Sequence, residues 1–170
     1  MTTFFISDTH FGHKNILTFT DDKGNLIRPG FSSIEEMNEH IVDCWNKTVS
    51  SNDKVYHLGD VAFGKHNLKY CERLNGKKYL VLGNHDAYPI ENYTLYFQKI
   101  FGATYVGGHT AILTHIPIAP SSFRGFKVNI HGHLHAHDMQ DNHYFNASCE
   151  NINYTPISLD EIMKAANEFT

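Results

Sequence analysis

The chain reads as an α/β protein: two packed sheets flanked by helices, an α/β sandwich within one domain covering residues 1–170. Three observations predict it. Apolar, β-branched or aromatic runs at 3–7, 54–58 and 78–82 alternate with helical periodicity, the pattern of a βαβαβ unit. After Gly102 the texture changes to short strand-like runs, read as a β-meander. Ser158, with Glu161 three residues on, then opens a closing helix.

The elements follow in order. Run 3–7 ends at Asp8, and a loop with His13, Lys14 and Asn15 leads into a helical turn through Ile16, Leu17 and Phe19. Residues 21–25 are a turn by composition, and Arg28-Pro29-Gly30 extend the loop. Ser32 with Glu35, or Ser33 with Glu36, makes a capping box for a helix to about Thr48, whose buried stripe is Ile34, Met37, Ile41, Cys44 and Trp45. Run 54–58 delivers Gly59-Asp60, residues 66–74 form a short helix, and run 78–82 delivers Gly83-Asn84-His85-Asp86. Residues 92–101 have helical spacing, with Tyr93, Tyr96, Phe97, Ile100 and Phe101 on one face. That face reads as core, with a base-stacking platform as its functional alternative. Strands follow at 104–106, 111–114, 128–130 and 144–147, and the last helix turns Ile162, Ala165, Ala166 and Phe169 inward.

Composition bounds the function. The formal net charge is −4 and the longest basic run is Lys77-Lys78, which is no footprint for tight, sequence-independent nucleic-acid binding. Bound cations would add local positive charge that this count omits. Cys44, Cys71 and Cys149 are odd in number, widely spaced and without CxxC, which favours a reduced setting. The first residues lack a basic segment and reach Asp8 too early for a signal peptide, and no apolar run approaches a membrane span. A cytoplasmic protein with no membrane contact and no obligate protein partner is the expectation.

Histidine is the outlier, with 13 copies clustered around polar islands: Asp8-Thr9-His10, Gly59-Asp60, Gly83-Asn84-His85-Asp86, Thr114-His115 and Gly132-His133-Leu134-His135. Each island follows a strand-like run, and in α/β sheets ligands gather at the carboxyl ends of strands. Taken singly, each island has an ordinary reading as a turn or a hydrogen-bonded core histidine. Their joint order is what carries the inference. Carboxylate, imidazole and amide groups at strand ends supply the ligands of a two-metal hydrolytic centre.

The ordered pattern D-x-H, G-D, G-N-H-D, H, G-H-x-H over residues 8–135 resembles the calcineurin-like metallophosphoesterase superfamily. The short spacers, and the stretches at 8–15 and 55–62, resemble its small, uncapped microbial and phage members. The resemblance implies that fold. It also implies roles: Asp8, His10 and His135 would hold one metal, Asn84, His115 and His133 the other, and Asp60 would bridge them. His85 would face the phosphoryl group or leaving oxygen, oriented by Asp86. Two divalent ions bring a charge that Asp8 and Asp60 only half neutralise, so the site should attract a phosphate ester and ionise a bridging water for in-line attack. Nitrogen and oxygen donors without thiolate suit Mn first, with Fe, Zn, Ni or Co as alternatives.

Around this set, His13, Arg28 and Arg124 are candidate contacts for substrate phosphate, since guanidinium forks match phosphate oxygens; a solvated surface is the other reading of the arginines. His57 reads as core or as support for a ligand, and His131 as a donor to such support. His109 and His137 read as surface, and Asn146 and Glu150 as structural loop contacts. The function expected is metal-dependent hydrolysis of phosphoesters, with phosphodiesters of a nucleotide-type substrate favoured and cyclic nucleotides, 2′,3′-cyclic ends, dinucleotides and oligonucleotides all open. A small-molecule phosphomonoesterase, a nuclease acting on nucleic-acid ends and a protein-interaction module on the same fold are the alternatives.

Overall fold

A computed structural model describes residues 1–137 and 139–167. Strand β1 (Thr3–Ile6) alternates its side chains between two cores. Phe4 and Ile6 pack with helix α1 (Ile34–Thr48), while Phe5 joins the residues between the two sheets. Being buried on both faces explains its unbroken apolar run. Helix α1 starts at Ser33, whose hydroxyl accepts the Glu36 N–H at 3.1 Å, while the Glu36 carboxylate reaches back to Ser32 N at 2.8 Å. Its inward face is Ile34, Met37, Asn38, Ile41, Val42 and Trp45; the expected Cys44 is only half-buried.

Strand β2 (Lys54–His57) and strand β3 (Lys77–Val81) lie parallel to β1 in the order β3-β2-β1, with a 3-10 helix, Lys65–Arg73, in the crossover between them. The expected long helix at 92–101 is instead a short α2 (Ile90–Thr94) followed by strand β4 (Lys99–Phe101), parallel to β3. The free edge of β3 accounts for the difference. Gln98 N bonds Lys78 O at 2.8 Å and Leu82 N bonds Phe101 O at 2.9 Å, so pairing overrides helical periodicity. Tyr93 and Phe97 are buried in the α1-side core, which removes them as a stacking platform.

The second sheet contains β5 (Thr104–Val106), β6 (Ala111–Leu113), β7 (Val128–His131) and β8 (Tyr144–Asn146), adjacent in that order. It is not a meander. Only β5–β6 is antiparallel; β6–β7 and β7–β8 are parallel. Parallel neighbours need long return connections, and here those are the loops between residues 113 and 128 and between 131 and 144. The consequence is functional. In a meander, the residues after β6 and β7 would leave from opposite ends of the sheet; in this arrangement His115 and His133 leave from the same end. Strand β9 (Ile157–Ser158) closes the first sheet antiparallel to β1 and leads into α3 (Leu159–Asn167), which Ser158 caps as expected: its hydroxyl accepts the Glu161 N–H at 3.3 Å, and its own N–H donates to the Glu161 carboxylate at 2.9 Å. Ile162 is buried; Phe169 lies outside the described residues. Among the described residues, no helix is long and apolar enough to cross a membrane.

Candidate metal centre

The loops after β1 and β2 run side by side. Asp8 N bonds Gly59 O and His10 N bonds Asp60 O, both at 3.0 Å, so the two carboxylates are tied into one backbone ladder. The D-x-H spacing works through a left-handed backbone, not an extended one: φ is 56° at Asp8, 46° at His10 and 56° at Asp60. His133 and His135 repeat it, at 70° and 49°. Such strained non-glycine residues persist where surrounding contacts over-determine them, and they concentrate at functional sites.

Close packing of these loops explains two of the glycines. A Cβ on Gly132 would stand 2.0 Å from Ser7 Oγ and 2.3 Å from Asp8 Oδ2; one on Gly83 would stand 2.2 Å from Asp60 Oδ1. The close approach is thus between ligand-bearing loops. Asp86 belongs to the same scaffold. Its Oδ2 accepts from the N–H groups of Asp60 and Gly83, each at 2.8 Å, and its Oδ1 accepts from Val61 N–H at 3.1 Å. That corrects its expected role: Asp86 clamps the backbones of two ligand loops, and among the described residues no hydrogen bond joins it to the His85 ring.

Each candidate carboxylate uses one oxygen for support and leaves the other free. Asp8 Oδ2 accepts from His133 N and Ser148 Oγ, both at 3.0 Å, while Oδ1 faces His10 Nε2 at 3.6 Å and His135 Nε2 at 3.9 Å. Asp60 Oδ1 accepts from His85 N at 2.9 Å, while Oδ2 lies 3.6 Å from His10 Nε2 and 3.4 Å from His115 Nε2. The imidazoles are oriented in the same way. His115 Nδ1 donates to Leu58 O at 2.7 Å and His135 Nδ1 to Glu150 Oε1 at 2.9 Å, which leaves both Nε2 lone pairs for the centre. Asn84 Oδ1 completes the second group, 3.0 Å from His115 Nε2 and 2.9 Å from His133 Nδ1. Two sets therefore converge, Asp8–His10–His135 and Asn84–His115–His133, with Asp60 Oδ2 between them.

These groups fit cations. Asp8 Oδ1 and His10 Nε2 are buried without a hydrogen-bond partner, and leaving such a polar atom unsatisfied costs roughly 1–3 kcal/mol per group. Metal–ligand bonds of about 2.0–2.2 Å put neighbouring donor atoms roughly 3.0–3.5 Å apart, close to the 3.4 and 3.6 Å found around Asp60 Oδ2. Electrostatics agree. Burial would raise the Asp8 carboxyl, yet His10, His115 and His135 outweigh it and hold it far below the usual range. Asp60 is likewise lowered against its burial, chiefly by His115. His115 and His135 are raised against theirs, His115 by Asp60 and Asp8, His135 by Glu150 and Asp8. Positive charge is thus stabilised at His115 and His135 beside the two carboxylates, while burial and the neighbouring His115 lower His133.

The remaining candidates divide. His85 is exposed at the mouth, its ring 5.7 Å from that of His10. His13 lies 5.5 Å from the His10 ring, and burial pushes its imidazole down to about 4. Arg28 does not face solvent and offers nothing to a substrate. It is 1% exposed, and its guanidinium bonds Glu150 at 2.7 Å and the carbonyls of Asp8 and Thr9. Tucking the residue 20 positions after Asp8 beneath the ligand loop is a tertiary event with no local signal. Arg124 is exposed, and among the described residues no hydrogen bond or ion pair links it to the cluster.

The supporting residues were the least legible. Glu150, expected as a loop contact, carries His135 and Arg28 together, and Ser148 orients Asp8. Asn146 and Asn151 donate to His135 O at 2.8 and 2.7 Å, fixing the G-H-x-H loop. His57 is buried and satisfied when neutral: Nδ1 accepts from Gly59 N at 3.2 Å and Nε2 meets Thr9 Oγ1 at 2.9 Å. His131 Nδ1 bonds Gly132 O at 2.8 Å, while His109 and His137 are exposed.

No family model matches the sequence. The Gene 66 protein of Mycobacterium phage L5 is 29% identical over 168 residues, covering 79% of this chain and 77% of the phage protein. A crystal structure of a protein of unknown function, AQ665 from Aquifex aeolicus, superposes with a TM-score of 0.74 at 29% identity, covering 96% of this chain and 98% of that one. Uncharacterized protein MJ1445 of Methanocaldococcus jannaschii is 35% identical over 172 aligned positions, covering 95% of this chain and 89% of the archaeal protein. At that identity and coverage, this chain belongs to the same family as MJ1445.

Proposed function

We propose that this chain is a dinuclear-metal phosphoesterase with the calcineurin-like metallophosphoesterase fold, acting on nucleotide-type phosphodiesters. One observation carries the reading: Asp60 Oδ2 stands between two ligand sets, 3.6 Å from His10 Nε2 and 3.4 Å from His115 Nε2. The donor set of carboxylate, imidazole and amide without thiolate suits two Mn ions, with Fe, Zn, Ni or Co as alternatives. When bound, such ions supply Lewis acidity and a water that ionises near neutral pH.

The chain's own residues do the rest. Asp8 and Asp60 leave a divalent pair with excess positive charge, which favours a phosphate ester. His85 is exposed and its backbone N–H donates to Asp60 Oδ1, which supports a role for its imidazole at a phosphoryl or leaving oxygen. In protonated form it would give its proton to that oxygen, a contribution of about 10²–10⁴-fold. Asn84 and His85 are both exposed, which favours the bulkier diester over a monoester.

Metal analysis together with hydrolysis of bis(p-nitrophenyl) phosphate tests the reading. The expected result is two ions per chain and Mn-dependent turnover. Because the Asp60 carboxylate would contribute to holding both ions, Asp60→Asn should cut the rate by about 10³-fold, the equivalent of several kcal/mol of charge stabilisation. Fully loaded protein that turns over no phosphoester would sink it.

A further inference from the structure

The chain has 12 phenylalanines, and among the described residues the largely exposed ones are Phe19 and Phe63, at 44% and 51%. Both border the same imidazole. The His13 ring centre lies 4.4 Å from Phe63 at an interplanar angle of 79°, and 5.5 Å from Phe19 at 63°. His13 in turn lies 5.5 Å from His10, which faces Asp8 and Asp60. One exposed apolar side chain needs no explanation. Two exposed aromatic rings around one imidazole, beside a cation-binding cluster, call for one.

The wall is also held in place. Phe11 N bonds Val61 O at 3.0 Å and Phe63 N bonds Phe11 O at 2.9 Å, extending the ladder that aligns His10 with Asp60. Ile27 N bonds Phe19 O at 2.9 Å, closing the loop on the other side. Phe63 is therefore carried by the same backbone as two candidate ligands.

We propose that Phe63, Phe19 and His13 form a ring-binding wall beside the metal centre that receives the nucleobase of the substrate. This rests on the phosphoesterase reading and specifies what the ester carries. A phosphate drawn to the cations would leave its nucleoside within reach of rings that now face water. Stacking on these rings is tolerant of base identity, because every base has a π face. The preference is accordingly for esters that bear a base over those that bear an alkyl group, with little choice among bases.

Two measurements test it. The first compares an adenosine cyclic phosphodiester with glycerol 1,2-cyclic phosphate, which has no ring or cation to stack, on Mn-loaded protein, in the wild type, Phe63→Ala, Phe63→Leu and Phe19→Ala. The ratio of kcat/KM for the adenosine ester to that for the glycerol ester should fall about tenfold in Phe63→Ala and less in Phe19→Ala, with Phe63→Leu resembling Phe63→Ala because it restores bulk but no π face. The second is saturation-transfer NMR of adenosine monophosphate on chelator-treated protein, where base-proton signals should be present in the wild type and lost in the Phe19→Ala/Phe63→Ala double variant. An unchanged ratio, or base signals that persist in the double variant, overturns the wall. If the wild type turns over neither of these esters nor bis(p-nitrophenyl) phosphate, the phosphoesterase reading fails, and the NMR measurement decides the wall alone.

Discussion

The two halves of the candidate metal centre differ in depth and in backing. Asp8 and His10 are 0% and 4% exposed, and His135 is braced by Glu150, itself paired with the buried Arg28. On the other side Asn84 is exposed and His133 half-buried, with only His115 fully enclosed. The deep half has its own carboxylate, Asp8; the open half has a neutral amide and borrows charge from Asp60. On the proposed reading, a cation in the deep half would be better neutralised and less able to leave, whereas one in the open half would face the substrate and could exchange its ligands. One tenacious and one accessible position around a shared oxygen would combine retention with access.

The sharpest way to break this comparison is at the brace. Glu150→Gln leaves the Arg28 cation buried without its counter-charge, and denaturant unfolding should report a loss of about 3 kcal/mol. Competition titration should also show metal affinity falling about 10–100-fold at one position only. Equal weakening of both positions would erase the distinction between the halves.

Acid sensitivity should belong to the deep half as well. His57 underlies it, bonded to Thr9 between Asp8 and His10, and burial pushes its imidazole down to about 3. Unfolded, it would titrate near its ordinary 6.5. Between those values the unfolded chain binds the extra proton, so this contribution to stability is full above pH 6.5 and lost on acidification toward 3. The slope for one such group is about 1.4 kcal/mol per pH unit. Unfolding measured across that range should be flatter in His57→Gln; an identical slope would remove His57 from the account.

The smallest change in stability is expected at the open half. Asn84→Ala alters an exposed side chain and should shift unfolding by no more than about 0.5 kcal/mol. Metal analysis after loading with excess ion and removal of the unbound ion should nevertheless find one ion per chain instead of two. Retention of both would show that the amide is not a ligand.

Much of the first sheet could be read from the chain, because strands buried on both faces leave continuous apolar runs and α1 carries a capping box and a 3.6-residue stripe. The parallel order of the second sheet was hidden, since strands of three or four residues say nothing about the direction of their neighbours. β4 was read as helix because three residues can satisfy either periodicity, and the open edge of β3 decided. Arg28 misled for a related reason: charge in a loop reads as surface, and only a buried carboxylate 122 residues away makes its burial tolerable. Asp86 sits beside His85 in the chain, yet its carboxylate turns to backbone N–H groups that folding brings within reach.

By itself, then, the order of residues determined which side chains could bind a cation, because donor chemistry is a property of the residue and strand-end placement follows from local hydrophobicity. The tertiary structure decided which of them meet, which oxygen of each carboxylate is free, and which charges stay behind as bracing. Those outcomes depend on loops from both sheets packing to within hydrogen-bond distance, and that is settled by strand direction and long-range burial.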